Sequence, residues 1–435
     1  VTDEVLLPQP EPTGADEPER PGGWLRRARG FAVDLSPLRE SREYRRLFFG
    51  ESISTIGTQM TAVAVPIEVY RITHSSLMVG LLGVASLVPL VVFGLIGGAI
   101  ADAMDRRRLL LVSSSLLAVV SGLLFLQAAL NLRQVWLLYV LIFCQAAMFA
   151  VDAPARRSVV PRLLRPGQIP AATALSQVLW NFATVVGPLL AGVIIGTLGL
   201  QWAYGIDAVS FAASLAAVVT LRPVPPEGGG TAAGLGSVLE GLRFLRTQPV
   251  LLMTFAVDIN AMVFGMPRAL FPALAIGRFH GGSGSVGLLY AAPAFGALLG
   301  ALVSGRFGRV RRQGLAVLVA VAVWGLAIVG FGFSTAMWVA VVMLAVAGAA
   351  DMVSAVFRNS ILQVATPDAM RGRLGGVFIA VVAGGPRLGD VEAGTVAALT
   401  SAQFSVVSGG VLCVLGVVLL AALVPSFARY EAAVD

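Results

Sequence analysis

The sequence predicts an all-α membrane protein: twelve transmembrane helices in two pseudo-symmetric six-helix bundles. Three observations predict it. The 435-residue chain is 57% hydrophobic and only 13% charged, where soluble domains carry roughly 25% charged residues. Its apolar runs are long enough to cross a bilayer, which takes about 20 helical residues at 1.5 Å each. Its second half echoes its first in order.

The elements follow along the chain. Residues 1–45 open acidic and proline-rich, VTDEVLLPQPEPTGADEPERPGG, a composition that buries too little to fold and predicts a largely disordered tail. No basic start, apolar middle and cleavage site mark it as a signal peptide. The basic, aromatic WLRRARGFAVDLSPL behind it fits either a membrane-surface segment or a plain linker. Six spans are expected near 47–70, 77–101, 109–130, 135–155, 171–196 and 201–220, forming an N-terminal bundle over 46–221. A Pro/Gly start and a short amphipathic piece make 222–248 a linker. Six more spans, near 250–275, 284–305, 313–333, 336–357, 374–398 and 403–425, form a C-terminal bundle over 249–425, and 426–435 is a tail. The runs are continuous in Leu, Val, Ala and Gly without alternation, so helices are expected and not barrel strands.

The net charge of +7 comes entirely from arginine, since the chain has no lysine. With both termini and the linker on one side, 26 of the 31 arginines fall on that side, Arg71, Arg133 and Arg278 fall opposite, and Arg268 and Arg387 lie within spans. The positive-inside rule therefore predicts cytoplasmic termini in a multi-pass cell-membrane protein. The basic surplus reports topology and no nucleic-acid partner. Lacking lysine, the chain has no phosphate-binding P-loop, which excludes ATP hydrolysis of that kind and leaves a gradient as the energy source. His74 and His280 sit at matching loop positions, no metal site is expected, and no nucleophile and base stand at a motif spacing, so an enzyme is not expected. Cys144 and Cys413 both fall in spans, where a thiol acts as a small hydrophobe.

The repeat is visible in short matches. VGLL at Val79 recurs at Val286, an offset of 207, while GPLLAG from Gly187 faces GDVEAG from Gly389. PARRSVVPRLLRPGQI from Pro154 likewise faces AVFRNSILQVATPDAM from Ala355. GGAIADAMDRRR at the end of the second span carries Gly98, Asp102, Arg106 and Arg107, and its copy carries Arg306, Gly308 and Arg309 with Gly305 in the acidic place. This loop resembles the signature of the major facilitator superfamily, with Ala103 and Asp105 departing from it. NFATVVGPLLAG resembles that superfamily's antiporter signature in the fifth helix. VDAPARRSVVPRLL, FGMPRALFP and TPDAMRGRLGG with GGPRLGDVEAG resemble the branch of enterobactin exporters and macrolide efflux proteins.

The resemblance implies that two bundles rock about a central site. It implies gating by Gly98, Asp102, Arg106, Arg107, Asp152, Gly187, Pro188, Arg306, Gly308 and Arg309, with Asp102 meeting the eleventh helix and Arg106 pairing with Asp152. Charges in mid-membrane are expensive and so should face a cavity or a partner. Asp258 and Arg268 are ten residues apart on one span, about 15 Å and too far to pair directly. Arg387 and Asp390 stand at i and i+3, able to pair. Glu68, near an outer end, and Asp207 lie closer to water, and Asp351 is expected to meet loop arginines. Asp258, Glu392 and Glu68 are candidates for proton coupling, and Arg268 and Arg387 for an anionic substrate; a structural ion pair is the alternative for each. The expected function is proton-driven efflux by antiport of a drug, a macrolide or a siderophore-like small molecule, by a monomer among membrane lipids. Metabolite import and a non-transporting membrane sensor are the alternatives.

Overall fold

In a computed structural model the chain is described over residues 34–225, 235–303 and 310–431, without the side chains of 95–103, 235, 237, 238, 303, 368, 369 and 379. The acidic tail therefore lies outside the described residues, as do Arg306, Gly308 and Arg309. Among the described residues, twelve long helices build the body. The first six are α1 (Arg42–Thr73), α2 (Ser76–Ala103), α3 (Arg106–Ala129), α4 (Val135–Leu163), α5 (Ile169–Thr197) and α6 (Leu200–Val219). The second six are α7 (Pro249–Phe264), α8 (Ser283–Val303), α9 (Gln313–Phe333), α10 (Met337–Ala365), α11 (Asp368–Leu399) and α12 (Ala402–Leu423). Eleven spans are apolar enough to cross a membrane by hydropathy alone. The other is α1, whose 32 residues include Glu51, Ser52, Ser54, Thr55, Thr58 and Gln59. Length lets α1 span, and burial of its polar side against neighbouring helices removes that side from lipid.

Local chemistry sets the ends. Ser41 Oγ accepts the Tyr44 N–H at 3.2 Å to start α1, and Ser401 Oγ accepts the Phe404 N–H at 3.1 Å to start α12. Asp105 caps α3 by accepting the Arg108 N–H at 3.0 Å. His74 and His280, the matched loop histidines, are both left-handed, with φ of 52° and 50°. Between the halves, the amphipathic helix Leu235–Thr247 lies on α11, where Glu240 meets Arg373 at 2.8 Å and Leu245 is buried with Leu374 and Val377.

The repeat holds in three dimensions. Helix starts are offset by 207 residues in the first three pairs, 42/249, 76/283 and 106/313, and by 202 in the fourth and sixth, 135/337 and 200/402. Packing repeats as well: α2 lies on α4 as α8 lies on α10, and α3 on α6 as α9 on α12. The halves meet through α2 against α11 and α5 against α8.

One break was not foreseen. The seventh span stops at Phe264, passes through Gly265, Met266 and Pro267, and resumes as the short helix Phe271–Gly277. Pro267 cannot donate to a helical carbonyl. The carbonyl it leaves without a helical donor is that of Val263, while the Gly265 carbonyl, whose own helical donor Ala269 N–H turns to Asp390, accepts the Trp324 Nε1–H of α9 at 2.8 Å.

Candidate transport site

Glycine brings the halves together at the end of the bundle away from the termini. A Cβ on Gly80 of α2 would lie 2.4 Å from the Asp390 carbonyl oxygen of α11, and one on Gly83 would lie 2.5 Å from that of Arg387. Across the other seam, a Cβ on Gly287 of α8 would lie 2.4 Å from the Pro188 carbonyl oxygen, and one on Gly192 2.9 Å from that of Ser283. Small residues let backbones approach this closely. Each contact falls in the part of its helix farther from the terminal end, so the halves are sealed there. Pro188 thus sits at the seam between halves. Gly187 does not: its space is taken by Gln59 and Ile56 of α1, within its own half.

The break in the seventh span lies beside this seal. The Asp390 carboxylate accepts the Ala269 N–H at 3.2 Å, and Tyr290 of α8 donates to the Arg268 carbonyl at 3.0 Å. Arg387 donates from Nε to Ser86 Oγ of α2 at 3.1 Å and also to the Ala383 carbonyl. The expected Arg387–Asp390 pair is therefore not formed, because the acid bonds the backbone of the turn Arg268–Leu270 ahead of the resumed helix while the guanidinium crosses to the other half. Arg268 donates to Met266 Sδ at 2.9 Å, its Nε is buried without a partner, and Asp390 lies within its electrostatic reach without forming an ion pair. Two guanidiniums with no ion pair among the described residues thus flank the inter-half seam.

Toward the terminal end each half buries one arginine among acids. In the C-terminal half Arg358 of α10 bonds Asp258 of α7, and both are largely shielded, at 6% and 3% exposed. Asp351, a further two turns along α10, is 3.7 Å from the same guanidinium with its side chain 37% exposed. Asp258 therefore finds its partner on another helix, as its distance from Arg268 requires, and Asp351 meets a buried arginine of its own helix and not a loop arginine. In the N-terminal half Arg156 Nε bonds Asp152 at 2.8 Å within α4, and Ser113 of α3 donates to Asp152 at 2.5 Å. Glu51 of α1 lies within electrostatic reach of Arg156 and Asp152.

This corrects the pairing of Asp152 with Arg106. Arg106 is buried at the start of α3 with Nε unpartnered, and its backbone N–H bonds the Val224 carbonyl at 3.0 Å. Arg107 donates to the Val219 carbonyl at 2.7 Å. Both arginines fasten α3 to the end of α6. Gly98 lies within α2, as does Asp102, whose side chain is outside the described residues along with the copied loop.

Glu68 and Asp207 are more enclosed than expected, because α1, α3 and α6 close over them. Glu68 accepts from Gln127 Nε2 at 2.8 and 2.9 Å and from Tyr204 at 2.7 Å. Asp207, fully buried, accepts from Thr61 at 2.8 Å and Ser121 at 2.7 Å. Glu392 forms no hydrogen bond or ion pair with another described residue. A groove of about 810 Å³ between α7 and α12 is apolar apart from Asn260 and is lined by Ile259, Leu412, Leu415 and Leu419, so it lies on the lipid side and away from these charges.

Sequence reasoning missed Arg156, Arg358 and Glu51. The two arginines were grouped with loop residues because the apolar runs end before them. The signal that finds them is the repeat, since the position 202 residues beyond Arg156 is Arg358.

The geometry is that of a two-bundle carrier, and comparison with known proteins agrees. Residues 32–433 match the family described as transmembrane secretion effector. The chain is 29% identical over 391 residues to the enterobactin exporter EntS of Citrobacter koseri, covering 90% of this chain and 94% of that protein. It is 30% identical over 396 residues to that of Shigella boydii serotype 18, covering 91% and 95%. Among solved structures, the fold matches a bacterial homologue of the human lysosomal transporter Spinster, inward-facing and unoccupied, at a TM-score of 0.70 and 16% identity over 90% of this chain and 98% of that one. It also matches a bacterial homologue of the iron transporter ferroportin, inward-facing, at 0.65 and 15% over 89% and 98%. The protein is therefore a multi-pass membrane transporter and not an enzyme, and the chain belongs to the transmembrane secretion effector family of the major facilitator superfamily.

Proposed function

We propose that this transporter exports an anionic, catecholate-like siderophore, with the termini in the cytoplasm and inward proton movement driving the substrate out. The observation that carries the substrate class is the pair Arg268 and Arg387, which flank the seam between the halves without an ion pair among the described residues. Guanidinium in a partly dry site is stabilised by an anion that accepts its planar N–H groups, and catecholate and carboxylate oxygens do so. The likeness to enterobactin exporters supports the same substrate class. With the arginine-rich loops on the cytoplasmic side, the sealed end faces outward, and a product awaiting export would enter from the cytoplasmic end. Opening the outward end means parting the α2/α11 and α5/α8 seams. The loop at Asp102, with Gly98, Arg106 and Arg107, would then close the inner side.

The test is transport of enterobactin in proteoliposomes under an imposed pH gradient. Arg268→Ala and Arg387→Ala are each expected to raise the KM about tenfold, the loss of one charge-assisted contact, while folding is retained. Unchanged kinetics in both variants would remove the arginines from the substrate site, and absence of gradient-driven flux in the parent protein would overturn proton antiport.

A further inference from the structure

The helix between the halves, Leu235–Thr247, lies outside both seams and apart from the charges of the transport site. Its sequence, LGSVLEGLRFLRT, spreads side chains over three sides. One side is held by the protein. Leu245 is buried with Leu251 and Phe255 of α7 and with Leu374 and Val377 of α11, and a Cβ on Gly241 would lie 3.0 Å from the Arg373 carbonyl oxygen. A second side carries Glu240, Arg243 and Thr247 at i, i+3 and i+7, all exposed. The third carries Leu239, Leu242 and Arg246 at the same spacing, and here the leucines are 54% and 43% exposed. The protein thus leaves an apolar edge uncovered beside an arginine.

Contacts along α11 orient that edge. From Asp368 at the terminal end, α11 runs into the bundle. Glu240 meets Arg373 at 2.8 Å, while Leu245 packs on Leu374 and, one turn deeper, on Val377. The polar side therefore faces the terminal end and water. Leu245 also packs on Leu251, the third residue of α7, and only Gln248 separates the two helices. The helix accordingly lies across the bundle where the apolar part of α7 begins, which is where bilayer hydrocarbon begins, with its leucine edge turned away from Glu240 and toward lipid.

Charge decides what covers the edge. A groove on another protein needs only the leucines, whereas a membrane surface uses leucines and cations together. Arg246 shares the leucine stripe, Arg243 stands beside it, and Glu240, the only acid of the helix, is already paired with Arg373. Leucines reaching the acyl boundary beneath arginines that reach the headgroups are how an interfacial helix binds an acidic bilayer. We propose that Leu235–Thr247 is a docking site for acidic phospholipid, with Leu239 and Leu242 in the acyl boundary and Arg243 and Arg246 on the headgroup phosphates. Because this helix is bonded to α11 and leads directly into α7, lipid bound there holds the C-terminal half to the membrane surface while the seams part.

The test is fluorescence quenching of the full-length protein in nanodiscs. A bimane fluorophore is attached at Leu239→Cys, on the apolar edge, or at Thr247→Cys, on the polar side; the native thiols are buried or partly so. Phosphatidylglycerol or phosphatidylcholine with brominated acyl chains, diluted into unbrominated phosphatidylcholine, serves as quencher. The label at Leu239→Cys is expected to be quenched and that at Thr247→Cys to be spared. Phosphatidylglycerol should quench at a mole fraction about 25-fold lower than phosphatidylcholine, roughly fivefold for each arginine near an anionic headgroup. Arg243→Gln with Arg246→Gln, both at exposed positions, should abolish that preference and leave quenching by phosphatidylcholine unchanged. Absence of quenching at Leu239→Cys in either lipid would put the edge against a protein or a second copy of the chain and overturn the lipid site. Equal quenching by the two lipids overturns the selectivity for acidic phospholipid, and a preference that survives the double arginine variant overturns the arginines as its source.

Discussion

Arg358 shows what a single buried charge costs and what it holds. Removing one partner of a buried pair leaves the other charge dry and alone, which costs about 3–5 kcal/mol, whereas replacing both by apolar groups of similar volume is close to neutral. Arg358→Ala is therefore expected to destabilise the protein by about 3–5 kcal/mol, and Asp258→Leu with Arg358→Met to recover most of that; denaturant unfolding in detergent measures both. Equal losses in the single and double variants would show that the pair is not the source. The sequence announced that Asp258 needed a partner, because an acid in mid-span is otherwise unaffordable, but it hid which one. Apolar runs end at charged residues, whereas helices end where their hydrogen bonds do. Thus α10 continues to Ala365 and α4 to Leu163, each eight residues past the end of its apolar run, and both carry an arginine inward that hydropathy assigned to a loop.

Between elements, the contacts that decide packing are made by glycines, and composition does not tell one of the 49 from another. A Cβ on Gly348 of α10 would lie 1.8 Å from the Pro293 carbonyl oxygen of α8, and one on Gly296 of α8 would lie 1.8 Å from that of Ala345, so these helices touch backbone to backbone. Nothing lies within 4 Å of a Cβ on Gly372. Gly348→Val is expected to force α8 and α10 apart at a cost of about 1–3 kcal/mol. Gly372→Ala, in contrast, should be neutral or gain up to about 1 kcal/mol from helix propensity. Thermal unfolding of the two variants checks the contrast, and equal effects would mean the close approach carries no weight. The twelve spans were legible because their lengths match the bilayer. The break after Phe264 was not, since Gly-Met-Pro reads equally well as a kink, and the contact that holds it is the Trp324 indole, 59 residues beyond the Gly265 carbonyl it bonds, an interaction with no local trace.

For the molecule as a whole, the repeat and the distribution of arginine lead to one topology. Structural offsets of 207 and 202 residues confirm the echo that short matches such as VGLL suggested, because two halves with the same helix order must place equivalent loops at the same end. The terminal end then collects the loop arginines even after Arg156 and Arg358 are moved into the bundle, while Arg71, Arg133 and Arg278 remain at the other end. Basic loops resist translocation, which supports the proposed placement of the terminal end in the cytoplasm. Leu132, exposed between α3 and α4, and Arg165, exposed between α4 and α5, sit at opposite ends of one helix. The native thiols offer little background, since Cys413 is buried and Cys144 is partly so within α4. An impermeant maleimide added to intact cells is expected to label Leu132→Cys at once and Arg165→Cys only after permeabilisation. The reverse pattern would place the arginine-rich end outside. It would make the sealed seam of Gly80, Gly192 and Gly287 the cytoplasmic gate, and the direction of transport drawn from that seam would then be reversed.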